Sequence, residues 1–164
     1  MANITEHLHR RTLLQAGLAT ALGTLPLLAS SNTGTQPVIE VWKTPTCGCC
    51  HDWIRHLQTN GYEVRTHDVS DAVKRDHRQR LGLADRFGSC HTALVGGYLL
   101  EGHVPAHDIQ RLLKEKPRAL GLAVPGMPVG SPGMDGPEYS GRKDPYDVLL
   151  VQRGGSASVY QSYR

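Results

Sequence analysis

Val38-Ile39-Glu40-Val41-Trp42, followed at once by Thr44-Pro45-Thr46-Cys47-Gly48-Cys49-Cys50, is the stretch on which the fold turns. Its first half is β-branched and aromatic and reads as a strand. Beyond it, Cys50, Trp53, Ile54 and Leu57 recur at helical spacing, so a helix is expected from about residue 49 to 59, stopping at Asn60-Gly61. Working outward, residues 62–67 read as a second short strand and residues 68–81 as a polar helix with Ser70 as N-cap. Residues 92–95 and 98–101 flank Gly96-Gly97, a two-residue hairpin signal. Residues 105–116 form a third helix, with Pro105 in its first turn and Ile109, Leu112 and Leu113 facing inward. The order is β-α-β-α-β-β-α. The first two strands, joined through a helix, are expected to run parallel, and the last two form an antiparallel hairpin. That order predicts an α/β, thioredoxin-like sandwich.

After Pro117 the character changes. Residues 121–141 are dominated by Gly and Pro, which excludes a helix and confines Pro to sheet edges or bulges. Residues 146–152 and 158–163 then read as a hairpin around Arg153-Gly154-Gly155. With 164 residues there is room for one ordinary domain. The expected division is a core at 37–117 and a C-terminal extension at 118–164, a Gly/Pro-rich lap plus a β-hairpin, within a single domain at 32–164.

Apolar residues make up 39% and charged residues 20%, as in a soluble globular chain. The net charge of +3 comes with no basic stripe, and aromatics are only 5%, which argues against nucleic-acid binding. At the N-terminus, Arg10-Arg11-Thr12-Leu13-Leu14 opens an uncharged stretch that ends in Ala29-Ser30-Ser31. A positive start, a moderately apolar middle and small residues at the end describe a secretory signal at 1–31. The Arg pair resembles the twin-arginine signal, so a periplasmic location is expected, with no stable membrane span after cleavage. Retention as a short anchor is the competing reading, weakened by Gly17, Gly23 and Pro26 within the stretch.

The four cysteines then become the centre of the argument. Cys47, Cys49 and Cys50 sit where the first strand meets the N-terminus of its helix, a position that favours thiolate. Cys90 lies just before the third strand, which in this topology begins where the first ends, so all four are expected to converge. A Cys47–Cys50 pair would make a C-x-x-C thiol–disulfide oxidoreductase. One tetrahedral zinc ion fits adjacent Cys49 and Cys50 poorly, and an iron–sulfur cluster meets the same objection. Two structural disulfides are the bland alternative. Soft Cu(I), which accepts low coordination and bridging sulfur, suits crowded thiolates best, with more than one ion per chain.

The motifs also match a known pattern. Thr44-Pro45-Thr46-Cys47-Gly48-Cys49-Cys50, Ser89-Cys90-His91-Thr92-Ala93, Glu101-Gly102-His103-Val104-Pro105-Ala106, and Gly121-Leu122-Ala123-Val124-Pro125-Gly126-Met127-Pro128 with Gly130-Ser131-Pro132-Gly133-Met134 resemble the CopG-type periplasmic copper-resistance family. The resemblance runs over roughly residues 37–152. It implies a thioredoxin-like domain, Cu(I) held by Cys47, Cys49, Cys50 and Cys90, a role in copper resistance that extends to copper redox chemistry, and other periplasmic copper-handling proteins as partners. Whether the chain is an enzyme stays open at this point.

Around the cysteines, His91 stands where a thioredoxin presents its cis-proline, which counts against a simple oxidoreductase. His91 and His103 are secondary ligand candidates. Met127 and Met134, two of only three methionines, lie in the lap and are the other secondary candidates. Glu101 is read as a partner of His103 or a strand-end charge. Trp53 and Ile54 are expected in the core, and His51, His56, His67, His77 and His107 are expected to face solvent.

Overall fold

A strand β1 (Ile39–Lys43) leads into helix α1 (Gly48–Thr59), then β2 (Val64–Asp68), α2 (Asp71–Arg80), β3 (His91–Val95), β4 (Tyr98–Glu101) and α3 (Ala106–Glu115). The chain continues through β5 (Gly121–Ala123), β6 (Tyr146–Val151) and β7 (Ala157–Tyr163). These elements come from a computed structural model that describes residues 36–164; the expected signal at 1–31 lies outside the described residues.

All seven strands form one sheet in the order β2-β1-β3-β4-β5-β6-β7. β1 and β2 are parallel, joined across α1. β3 runs antiparallel to β1, with His91 opposite Lys43, and pairs with β4 across the Gly96-Gly97 turn. Both glycines have positive φ, the requirement of a tight two-residue turn.

Alternation along the strands builds two apolar layers. On one face Ile39, Val41, Ala93, Val95, Leu100 and Leu122 meet Trp53, Ile54 and Leu57 of α1 and Ile109 and Leu112 of α3. On the other, Leu99, Ala123 and Val151 meet Leu83 and Phe87 of the segment after α2. Trp53 and Ile54 are thus core residues, and the Trp53 indole N–H donates to the Val104 carbonyl at 2.9 Å. Ser70 caps α2 as expected, its Oγ accepting from the Val73 N–H at 3.3 Å.

One expectation fails at the start of the lap. Gly121-Leu122-Ala123 is a strand, wedged between β4 (parallel) and β6 (antiparallel), so the C-terminal hairpin extends the central sheet. Three residues set among Gly and Pro carry no alternation to read. Gly121 is what permits the insertion, because a Cβ there would overlap the backbone of Leu99.

Candidate metal centre

The end of β1 and the start of β3 lie side by side, because the two strands run in opposite directions. A turn closed by the Cys47 N–H on the Thr44 carbonyl, 3.3 Å, brings Cys47 to the N-cap of α1 and Cys49 and Cys50 into its first turn. The loop into β3 brings Cys90 against them. The result is a compact sulfur cluster in which the Sγ atoms of Cys47, Cys49, Cys50 and Cys90 all lie within 4.8 Å of one another.

Cys47 and Cys50 are joined by a disulfide, with Cα atoms 5.3 Å apart. Cys49 and Cys90 are free thiols. Cys49 Sγ stands between the two arms, 3.5 Å from Cys47 Sγ and 3.9 Å from Cys90 Sγ. Cys50 is fully buried, whereas Cys49 is half-buried, since one helical step turns adjacent side chains to different faces.

Two imidazoles converge on Cys90. His103 Nε2 is 3.0 Å and His91 Nδ1 3.3 Å from its Sγ, and these three atoms also lie within 4.8 Å of one another. The Pro132 carbonyl can only accept, so His103 Nδ1 carries the proton in their 2.8 Å bond. Nε2 is then a lone pair aimed at sulfur. Both histidines are buried, and burial holds both below the usual imidazole pKa; for His91 the neighbouring His103 adds to the effect. Burial, reinforced by Cys49, pushes the Cys90 thiol up to about 12. Without a metal, Cys90 therefore stays protonated at neutral pH and a cation must displace the proton to bind.

Three charged groups that the sequence reading did not place in this role hold the site. Glu101 is fully buried and accepts from Arg78 Nη1 at 3.1 Å, the Ser89 N–H at 2.7 Å and Thr92 Oγ1 at 2.6 Å. It therefore pins the loop that carries Cys90 and is neither a partner of His103 nor an exposed strand-end charge. Lys74, also buried, donates to the Cys90 carbonyl at 2.7 Å and to Asp71 at 2.9 Å. A polar helix face gives no sign in sequence of which charges turn inward.

The Gly/Pro lap closes over the cluster. Pro132 holds His103, and the Gly126 N–H donates to the Gly88 carbonyl at 3.2 Å beside the Ser89 hydroxyl, which donates to the Gly126 carbonyl. Gly133 sits on the first turn of α1 with φ +86°, so close that a Cβ would lie 2.6 Å from the Cys49 carbonyl oxygen and 2.7 Å from Trp53 N. The two methionines divide. Met134 Sδ, half-buried, accepts from the Tyr139 hydroxyl at 3.3 Å, while the Met127 side chain is half-exposed. Tyr139, from a short 3-10 turn at Pro137–Tyr139, is a residue near the site that sequence reasoning did not single out.

The remaining histidines split as well. His51, His67 and His107 are exposed as expected. His56 is half-buried, because its Nε2 accepts from the Ala106 N–H at the start of α3, 3.1 Å. His77 is half-buried against the Trp42 ring, with centroids 4.1 Å apart.

As a donor set, thiol sulfur and neutral imidazole nitrogen match soft or borderline metal ions. With the disulfide closed, the available donors are Cys49, Cys90, His91 and His103; opening it adds two more sulfurs.

Comparison with known proteins places this arrangement. Two solved structures titled copper resistance protein CopG, form 1 and form 2, are 46% and 45% identical to the chain, each with a TM-score of 0.70. They cover 78% and 79% of this chain and 98% and 99% of their own. The chain belongs to the CopG copper-resistance family. Residues 87–134, which hold Cys90, His91, His103 and both lap methionines of this CopG-family chain, also match a family model described as protein of unknown function, DUF411. No curated protein matches. Among the described residues no helix is long and apolar enough to cross a membrane.

Proposed function

We propose that this chain binds copper as cargo, in a periplasmic copper-resistance role, holding more than one Cu(I) at Cys47, Cys49, Cys50 and Cys90 with His103 and His91 as further donors. The observation that carries the reading is the meeting of four sulfurs and two imidazoles around Cys90 at the N-terminal turn of α1. The titles of the two CopG structures supply copper as the ion. Loading the full set begins with the disulfide. A dithiol reductant gives up two electrons and two protons, ends as its own disulfide, and leaves Cys47 and Cys50 as thiols. Each Cu(I) then replaces thiol protons with sulfur–copper bonds. Met134 and Met127 stand at the lap as thioethers for the entering ion.

The strand order β2-β1-β3-β4, with α1 and α3 on one face, supports a thioredoxin-like core. Arg10-Arg11 and the uncharged stretch behind them support export through a twin-arginine-like signal, and other periplasmic copper-handling proteins are the expected partners.

A second reading is favoured by the Cys47–Cys50 bridge itself: a thiol–disulfide oxidoreductase that cycles this pair. Cys49 separates the two, since a C-x-x-C enzyme has no use for it. The deciding experiment measures metal content and free thiols on protein purified anaerobically from copper-fed periplasm, with Cys49→Ser alongside. Copper above one equivalent, lost in Cys49→Ser, is the expected result. A metal-free chain whose Cys49→Ser variant still turns over a dithiol would reject cargo binding in favour of the enzyme.

A further inference from the structure

The end of the sheet opposite the sulfurs carries a different chemistry. There the β3–β4 turn, the C-terminus of α3 and the β6–β7 turn enclose a cleft of about 620 Å³. Its floor is apolar, with Pro37, Tyr98 and Leu113, and three cations from separate segments stand around it: Lys116, Arg118 and Arg153. The carboxylates near this end are already engaged, Glu115 with Arg111 and Tyr160, and Glu63 with Arg65. Among the described residues, none of the three cations has a carboxylate partner. Two further cations extend the patch beyond the cleft: exposed Lys114, and Arg86, which donates to the Gly155 carbonyl in the β6–β7 turn.

A single small anion would be matched by one or two cations. Five cations across one end of the molecule, around an apolar floor, instead match an extended anionic surface with hydrocarbon behind it. We propose that this end docks on an anionic phospholipid membrane, with the cleft receiving a headgroup phosphate between Lys116, Arg118 and Arg153 and the carbons below it resting on Tyr98 and Leu113. The five residues of β3 separate the cleft from Cys90, roughly 16 Å at the rise of an extended strand. Docking by this end leaves the sulfur cluster facing water.

The test is co-sedimentation of the full chain with vesicles of phosphatidylcholine alone and of equimolar phosphatidylcholine and phosphatidylglycerol. A variant carrying Lys116→Gln, Arg118→Gln and Arg153→Gln is run in parallel. Binding is expected only to the anionic vesicles and is expected to weaken as salt is added. Each charge removed should weaken binding about fivefold, so the triple variant falls about a hundredfold, with its copper content unchanged. Equal binding to neutral vesicles would assign the affinity to the apolar N-terminal segment and overturn the proposal. Wild-type binding by the triple variant, or no binding to either vesicle, as for a surface made for an acidic protein, would overturn it too. Copper content and vesicle binding are read separately, so failure here leaves the metal centre untouched.

Discussion

Replacing Gly133 by Ala tests how tightly the lap is seated on α1, the helix that carries Cys49 and Cys50. Two costs add. A Cβ at φ +86° is a left-handed conformation that an L-residue adopts at about 1 kcal/mol or slightly more. The same Cβ would lie 2.6 Å from the Cys49 carbonyl oxygen and 2.7 Å from Trp53 N. Both are backbone atoms of α1, so no side chain can swing aside, and overpacking of this kind costs ~1–3 kcal/mol. The sum is about 3 kcal/mol, read as a shift in urea-unfolding free energy of the copper-free protein. Gly126→Ala is the matched control, in the same lap at φ +70° but with nothing within 4 Å of its Cβ, so it carries only the conformational cost. The difference between the variants isolates the contact with α1. Lifting the lap should also break the bond from His103 Nδ1 to Pro132, which the imidazole nitrogen chemical shifts report. If Gly133→Ala proves no more destabilising than Gly126→Ala, the lap is not seated as described and the reasoning fails.

Three further outcomes are expected. Glu101→Ala leaves the Ser89 N–H and the Thr92 hydroxyl without their acceptor and the buried Arg78 with only Asp85, 3.1 Å away, and should cost ~2–4 kcal/mol in chemical denaturation; a loss below 1 kcal/mol would mean that water already shares the site. Ser70→Ala removes the α2 cap for about 1 kcal/mol, with Ser70→Gly recovering most of it, again by denaturation. His56 is held below 6.5 by burial, partly opposed by Asp135, so below pH 6.5 the unfolded chain takes up a proton that the folded chain resists. Stability from this residue should decline as pH falls from 6.5, and an NMR titration placing the His56 pKa at or above 6.5 would contradict the acceptor role on Ala106 N.

Much of the frame was legible because it rests on local signals. The spacing of Cys50, Trp53, Ile54 and Leu57 declared α1, and Gly96-Gly97 declared the β3–β4 hairpin, each within a dozen residues. The approach of Cys90 to the other cysteines followed from strand direction alone. What escaped depends on distance or on chemical state. Glu101 and Arg78 are 23 residues apart, and nothing near either announces a buried pair. Lys74 lies on a helix face so polar that no periodicity marks its inward side. β5 is too short for an alternating pattern, and its partner β6 is more than 20 residues away. The Cys47–Cys50 bridge was one of several states open to four crowded sulfurs, and spacing cannot choose among them.

The lap is anchored at both ends in the sheet, by β5 before it and β6 after it, and it follows all the cysteine and histidine ligand candidates, Cys47 to His103, in the chain. Synthesis therefore makes the donors first and their cover last. A growing chain presents all four sulfurs before Pro132 and Gly133 exist, and the cover can settle only once β6 has been made to hold its far end. The interval between those events is a window in which the thiols are open to oxidants and stray metal ions, and its length is set by the 61 residues from His91 to the end of β6 at Val151.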